Sequence, residues 1–150
     1  RYTALMATGK LPKPHIAKMI GDQPVMPEFS DILTPLEKKK LPIIQEAMYA
    51  VCNEEGGTAK QFIHSKVTIA GKTGTAQVVG ILQNIKDRQL EHDMEYYTRS
   101  HAWFTSYGPY ENPQVIVLVL VEHGGHGGDA TGGIVSAIYD KLLSMGYIKN

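Results

Sequence analysis

The sequence predicts an α+β fold, with a mainly antiparallel sheet packed against a C-terminal helix. Three observations predict it. Residues 67–79 and 102–107 are short runs rich in β-branched and aromatic residues. The stretch Val115-Ile116-Val117-Leu118-Val119-Leu120-Val121 is continuously apolar, as suits a strand buried on both faces. Finally, Ile134, Ala137, Ile138, Lys141, Leu142 and Met145 recur at spacings of three and four before Gly146, the signature of a terminal amphipathic helix.

Each element follows in chain order. Tyr2, Leu5 and Met6 fall at helical spacing and Gly9 follows, so residues 1–8 read as the end of a helix. Pro12, Pro14, Pro24 and Pro27 break residues 10–33 into short extended pieces such as His15 to Ile20, a connecting region or small hairpin. Thr34-Pro35-Leu36-Glu37 has the arrangement of a capping box, in which Thr34 caps the helix and Glu37 reaches back. Pro42 then predicts either a short turn with a new start or one kinked helix, with Leu41, Ile44, Met48 and Val51 as its apolar stripe and Gly56-Gly57 as its end. Tyr107-Gly108-Pro109-Tyr110-Glu111-Asn112-Pro113 is a tight connection that makes the second and third strands an antiparallel pair.

Composition narrows the function. With 15 Lys+Arg against 15 Asp+Glu in 150 residues, the chain has neither the basic footprint of a nucleic-acid binder nor the acidic excess of a disordered tail. Its longest apolar run is far short of the roughly 20 residues that a membrane-spanning helix needs. The opening Arg1-Tyr2-Thr3-Ala4-Leu5-Met6 has neither an initiator Met nor a signal-peptide pattern, which reads as a piece of something larger. Cys52 is the single cysteine, so no intrachain disulfide can form and cysteine usage gives no compartment. It is expected to pack as a small apolar residue beside Met48 and Val51.

Gly71-Lys72-Thr73-Gly74-Thr75 carries the chemistry. Gly-Lys-Thr also ends the phosphate-cradling loop G-x-x-x-x-G-K-[ST], but the first glycine of that pattern would fall on Lys66, and Ala76-Gln77-Val78-Val79 continues as a strand rather than opening a helix. The other reading is a strand bordering an acyl-transfer cleft. Gly74 lets a substrate backbone lie against the strand, Lys72 places an ammonium in the cleft, and Thr73 and Thr75 offer hydroxyls to a carboxylate. Lys-Thr-Gly belongs, with S-x-x-K and S-D-N, to the signature of penicillin-binding proteins and class A β-lactamases.

The likeness extends along the chain. Gly57-Thr58-Ala59, Ala70-Gly71-Lys72-Thr73-Gly74-Thr75-Ala76-Gln77-Val78, His101-Ala102-Trp103-Phe104, Tyr107-Gly108-Pro109-Tyr110, Asn112-Pro113-Gln114-Val115 and Val121-Glu122-His123-Gly124-Gly125 together resemble the last part of the transpeptidase domain of class B penicillin-binding proteins of the cell-elongation type. The resemblance implies a penicillin-binding/β-lactamase-like fold of which residues 1–150 are the C-terminal segment. A membrane anchor, a pedestal and the first half of the catalytic domain would precede it. It also implies a serine acyl-transferase that cross-links peptidoglycan stem peptides, is acylated by β-lactam antibiotics, and needs no cofactor or metal.

In that family's terms, Lys72 would tune the nucleophilic serine and help bind the substrate carboxylate, Thr73 and Thr75 would bind that carboxylate, and Gly74 would permit close approach. The backbone N–H of Thr75 would complete the oxyanion hole. The resemblance further implies a single-pass anchor in the bacterial inner membrane, a catalytic domain in the periplasm, and two partners, a glycan-polymerising membrane enzyme and a shape-determining scaffold protein. None of the six serines is followed three positions on by lysine, and none begins S-x-N, so the nucleophile and second motif are expected before Arg1 and the segment alone is expected to be inactive. Two other readings stay open, a penicillin-recognising sensor or β-lactamase relative, and an inactive pseudo-transpeptidase module.

The remaining candidates have plainer readings. His123, His126 and Asp129 lie in a glycine-rich stretch that leaves metal ligands poorly preorganised and offers no fourth ligand, so a turn between the last strand and helix is expected. His101 is expected to be a hydrogen-bonded histidine at a strand end. Residues 80–100, with Lys86, Asp87, Arg88, Glu91, His92, Asp93, Glu95 and Arg99, form a polar loop long enough to gate the cleft or to be disordered. Glu37-Lys38-Lys39-Lys40 reads as a solvated helix face.

Overall fold

A computed structural model describes residues 1–80 and 90–149. Lys86, Asp87 and Arg88 of the predicted polar loop therefore lie outside the described residues. The chain divides at Ala47, part-way along a helix, into two compact units.

In the first unit, α1 (Tyr2–Thr8) ends where Gly9 takes φ +73° and returns its N–H to the Leu5 carbonyl at 2.7 Å. Residues 10–33 form two small antiparallel pairs, one enclosed by the other: β1 (Leu11–Lys13) with β4 (Glu28–Ser30), and β2 (Met19–Ile20) with β3 (Gln23–Pro24). Only Met19–Ile20 of the expected extended stretch His15 to Ile20 is strand. The capping box forms as expected before α2 (Pro35–Asn53). Glu37 Oε2 accepts the Thr34 N–H at 2.8 Å, and Thr34 Oγ1 accepts the Glu37 N–H at 3.3 Å.

Pro42 does not end α2, which runs on as a single helix. The carbonyl that the proline ring leaves without its usual donor is that of Lys38, and both residues are exposed, so the carbonyl is not sealed in the core. The expected stripe is corrected at Ile44, which is exposed; Met48 and Cys52 are the residues that α2 buries. Burial pushes the Cys52 thiol up to about 12, so it is inert core.

The second unit is built on one three-stranded antiparallel sheet in the order β5 (Ala70–Ala76), β6 (His101–Gly108), β7 (Val115–Val121). Thr73 stands opposite Phe104, and Phe104 opposite Val119. The first strand is shorter than the 67–79 expected. Val67 and Ile69 are fully buried but precede the ladder, held instead by bonds from Ser65 and Lys66 to α3 and by the Tyr110 N–H on the Thr68 carbonyl at 2.8 Å.

Two expectations about burial are corrected. β7 is not buried on both faces: Val117 and Val119 point into the core, whereas Ile116, Leu118 and Leu120 are exposed, because α3 (Gly127–Ser144) covers one face of the sheet only. The predicted apolar stripe of α3 is met only in part: Ile138 and Leu142 pack against the core, but most of the buried side lies elsewhere. Ile134 and Met145 are exposed, while Gly128, Thr131, Gly132, Val135, Ser136 and Tyr139 face inward. Small residues win that face because the helix lies so close that a Cβ at Gly132 would stand 2.5 Å from the Phe62 Cβ. Phe104, Val135, Tyr139, Ile69 and Ile148 fill the core between helix and sheet.

Polar ties lock α3 to the segment that leads into β5. Ser136 Oγ accepts the His64 N–H at 2.9 Å, and Asp140 Oδ1 accepts both the Ser65 hydroxyl and the Lys66 N–H at 2.8 Å. Those bonds, with the Lys66 charge, hold the Asp140 carboxyl below its ordinary 3.8. A depressed carboxyl contributes stability above its unfolded value and loses it as pH falls through the folded one. Asp140→Asn is therefore expected to be less stable than wild type at pH 6, with the gap narrowing below pH 3.8. Urea midpoints across that range measure it, and a gap unchanged down to pH 2.5 would contradict the assignment.

Candidate active site

The Gly-Lys-Thr-Gly-Thr segment lies wholly within β5, so its glycines serve a strand and no helix opens after Thr73. That is the geometry of a flat wall rather than of a loop curled around phosphate. β5 has β6 on one side and, among the described residues, no strand on the other. Its free edge offers backbone N–H and C=O groups to an extended ligand.

Strand alternation sorts the candidate residues onto two faces. Thr73 and Thr75 point to the side covered by α3, where they line a cavity of about 420 Å³ together with Thr58, Gln61, Phe62 and Asp129. Lys72 and Gly74 lie on the opposite face with Trp103. Lys72 is exposed and its Nζ donates to the Thr73 carbonyl at 2.6 Å. The structure therefore brings the two threonines together and sets the ammonium on the other side of the same strand.

Both glycines have packing reasons of their own. A Cβ on Gly71 would fall 2.7 Å from the Phe104 ring, and one on Gly74 would meet the Trp103 Cβ at 3.3 Å. Against the backbone of Gly74 lies Gly127, the first residue of α3, whose own Cβ would stand 2.5 Å from the Gly74 oxygen and 2.6 Å from that of Trp103. Thus the start of α3 rests directly on the motif strand. Sequence reasoning assigned no role to Gly127, or to Thr58, whose hydroxyl lies 2.9 Å from that of Thr73. No local spacing links positions 58, 73 and 127; only the tertiary fold does.

The histidines and the polar segment close one end of the sheet. His101 Nδ1 accepts the His123 N–H at 2.9 Å, the hydrogen-bonded strand-end role expected of it. His123 has φ +54°, and its Nδ1 lies 3.1 Å from the Arg99 carbonyl, to which it donates. The rings of Tyr96 and His101 flank His123 with centroids 5.1 and 4.5 Å away. Glu91 accepts from the Ser100 hydroxyl at 2.6 Å and the Ser100 N–H at 2.9 Å. Burial disfavours the Glu91 charge, but these two bonds and the neighbouring His126 and Arg99 outweigh it and hold the carboxyl below its ordinary range. His126 occupies the N-cap position of α3 without a side-chain capping bond, and Asp129 lies in the first turn. Among the described residues no three His, Cys, Asp or Glu side chains converge on a point that could hold a metal ion.

Comparison with known proteins decides the family. The penicillin binding protein transpeptidase domain matches residues 1–143. The chain belongs to this family. Within the transpeptidase family it is 33% identical to the peptidoglycan D,D-transpeptidase MrdA of Haemophilus influenzae over 148 residues, which are 95% of this chain and 22% of that protein. Among solved structures, it is similar to a complex between penicillin-binding protein PBP2 and MreC from Helicobacter pylori, with TM-score 0.80, 43% identity, and coverage of 98% of this chain and 24% of that one. Pseudomonas aeruginosa PBP2 in complex with WCK 5153 gives TM-score 0.73 at 32% identity, over 94% of this chain and 28% of that one. The chain thus spans between a fifth and three tenths of these transpeptidase relatives.

Proposed function

We propose that the chain forms one wall of the acyl-transfer site of a peptidoglycan D,D-transpeptidase of cell-wall elongation. The observation that carries the reading is the Lys-Thr-Gly-Thr segment lying on the free-edged strand β5, with two of its hydroxyls on one cavity, inside a chain matched almost throughout by the transpeptidase family. A donor stem peptide lies antiparallel along β5. A serine supplied by the remainder of the domain attacks the carbonyl of the penultimate D-alanine; the terminal D-alanine leaves, and the amine of a neighbouring peptide takes the acyl group. The Thr75 N–H stabilises the oxyanion, a contribution of about 3 kcal/mol for such a donor. Thr73 and Thr75 hold the terminal carboxylate, Gly74 keeps the approach open, and Lys72, from the other face of the same strand, sets a positive field at the free edge where the serine is brought in.

The remainder of the domain also covers the exposed side of the sheet, where Trp103, Leu118 and Leu120 stand together. The likeness to a protein solved with MreC supports a scaffold partner of that kind. A glycan-polymerising membrane enzyme is the second partner, and a single-pass inner-membrane anchor with the catalytic domain in the periplasm is the location. Among the described residues no helix is long and apolar enough to cross a membrane.

Labelling with a fluorescent penicillin tests the function. The longer protein containing this segment is expected to take up label covalently, and the segment alone is not. A folded longer protein that remains unlabelled would leave a pseudo-enzyme in its place.

A further inference from the structure

We propose that Thr58 is a positioning residue for the acyl-transfer site, its hydroxyl orienting that of Thr73 toward a substrate carboxylate. The inference rests on the transpeptidase reading and deepens it. Thr58 stands outside the motif strand, fifteen residues before Thr73, yet the two hydroxyl oxygens are 2.9 Å apart on the rim of the same cavity.

Its backbone is fixed from both sides. Gly57 donates to the Glu54 carbonyl at 3.0 Å and Ala59 to that of Val51 at 3.0 Å, while the Ala59 carbonyl accepts from Phe62 and Ile63 at 2.9 and 3.1 Å. Ala59 is fully buried. From above, α3 approaches so closely that a Cβ on Gly128 would stand 2.5 Å from the Thr58 backbone carbonyl oxygen. A β-branched side chain on so constrained a backbone has few rotamers, so the hydroxyl is presented to Thr73 rather than finding it by chance.

The proton count gives the pair a direction. A threonine hydroxyl has one proton to donate, and accepts through its lone pairs. When Thr73 gives its proton to a carboxylate, its bond to Thr58 survives only if Thr58 is the donor. The chain Thr58 O–H to Thr73 O–H to carboxylate then has each hydrogen bond polarising the next. Among the residues that line this cavity, Gln61, Thr75, His126 and Asp129 carry the other polar side chains; the Thr58 hydroxyl is the group that stands 2.9 Å from that of Thr73.

The test compares acylation of the longer protein by benzylpenicillin, which bears a free carboxylate, and by its methyl ester. Thr58→Val and Thr58→Ala are expected to lower the second-order acylation rate with benzylpenicillin by about three- to tenfold, the loss appropriate to one hydrogen bond. The rate with the ester should move by less than twofold, Thr58→Ser should restore the acid rate, and the thermal midpoint should hold. Equal loss with acid and ester, or rates unchanged in both variants, would overturn the role of Thr58 and leave the transpeptidase reading standing. An unlabelled wild type would overturn both.

Discussion

Lys72→Ala is expected to lower the acylation rate of the longer protein by about 10²- to 10³-fold, the range found when a preorganised electrostatic group is removed from an acyl-transfer site. The size follows from what the lysine does not do for the fold. It is exposed, its Nζ reaches only the carbonyl of the next residue, and it fills no part of the core between sheet and helix. Its removal should leave the thermal midpoint within a degree or two while the rate collapses. A stopped-flow measurement of penicillin acylation alongside a melting curve separates the two effects. A rate within threefold of wild type would mean that the ammonium is a solvated strand residue and that the wall works through backbone and threonines alone.

Gly127→Ala is the second large effect, and it acts on stability and site together. The added methyl would collide with two backbone oxygens, those of Gly74 and Trp103, which cannot swing aside as a flexible side chain would. Overpacking of this kind costs about 1–3 kcal/mol. Relief requires either that α3 lifts or that β5 bows at Gly74, so acylation should fall as well. Gly133 supplies the internal control. It lies six residues further along the same helix with nothing within 4 Å of a built Cβ, so Gly133→Ala should stabilise by about 0.5–1 kcal/mol through helix propensity. Urea midpoints of the two variants should move in opposite directions; a shift of the same sign in both would refute the close contact between α3 and β5.

What could be read from sequence was what local chemistry determines. Thr34 and Glu37 cap α2 because a four-residue pattern contains both partners, and Gly9 ends α1 because the backbone itself demands a left-handed residue there. The antiparallel pairing of β6 with β7 was legible because a short turn-rich link joins them. Hydropathy failed where small residues do the packing. On α3 the buried side includes glycine, serine and threonine beside Val135 and Tyr139; these small residues score as polar or neutral, so the apolar stripe caught only the Ile138 and Leu142 margin of the packed face. In β7 the run of valine and leucine carried no sign of which layer would cover each side. At the site, the motif letters located β5, but the partition of Lys72 from Thr73 and Thr75 depends on the pleat. The neighbours Thr58 and Gly127 depend on contacts across the fold.

The half-open sheet has a consequence for the segment in solution. β7 presents three large aliphatic side chains along one side, beside an edge whose backbone groups are paired with no strand among the described residues. Such an edge is a template for another strand of the same kind, and charged gatekeepers are missing from Val115 to Val121. Separated from whatever covers it, this part of the molecule carries its own tendency to self-associate. Covering the aliphatic side of β7 and pairing its edge would remove that tendency.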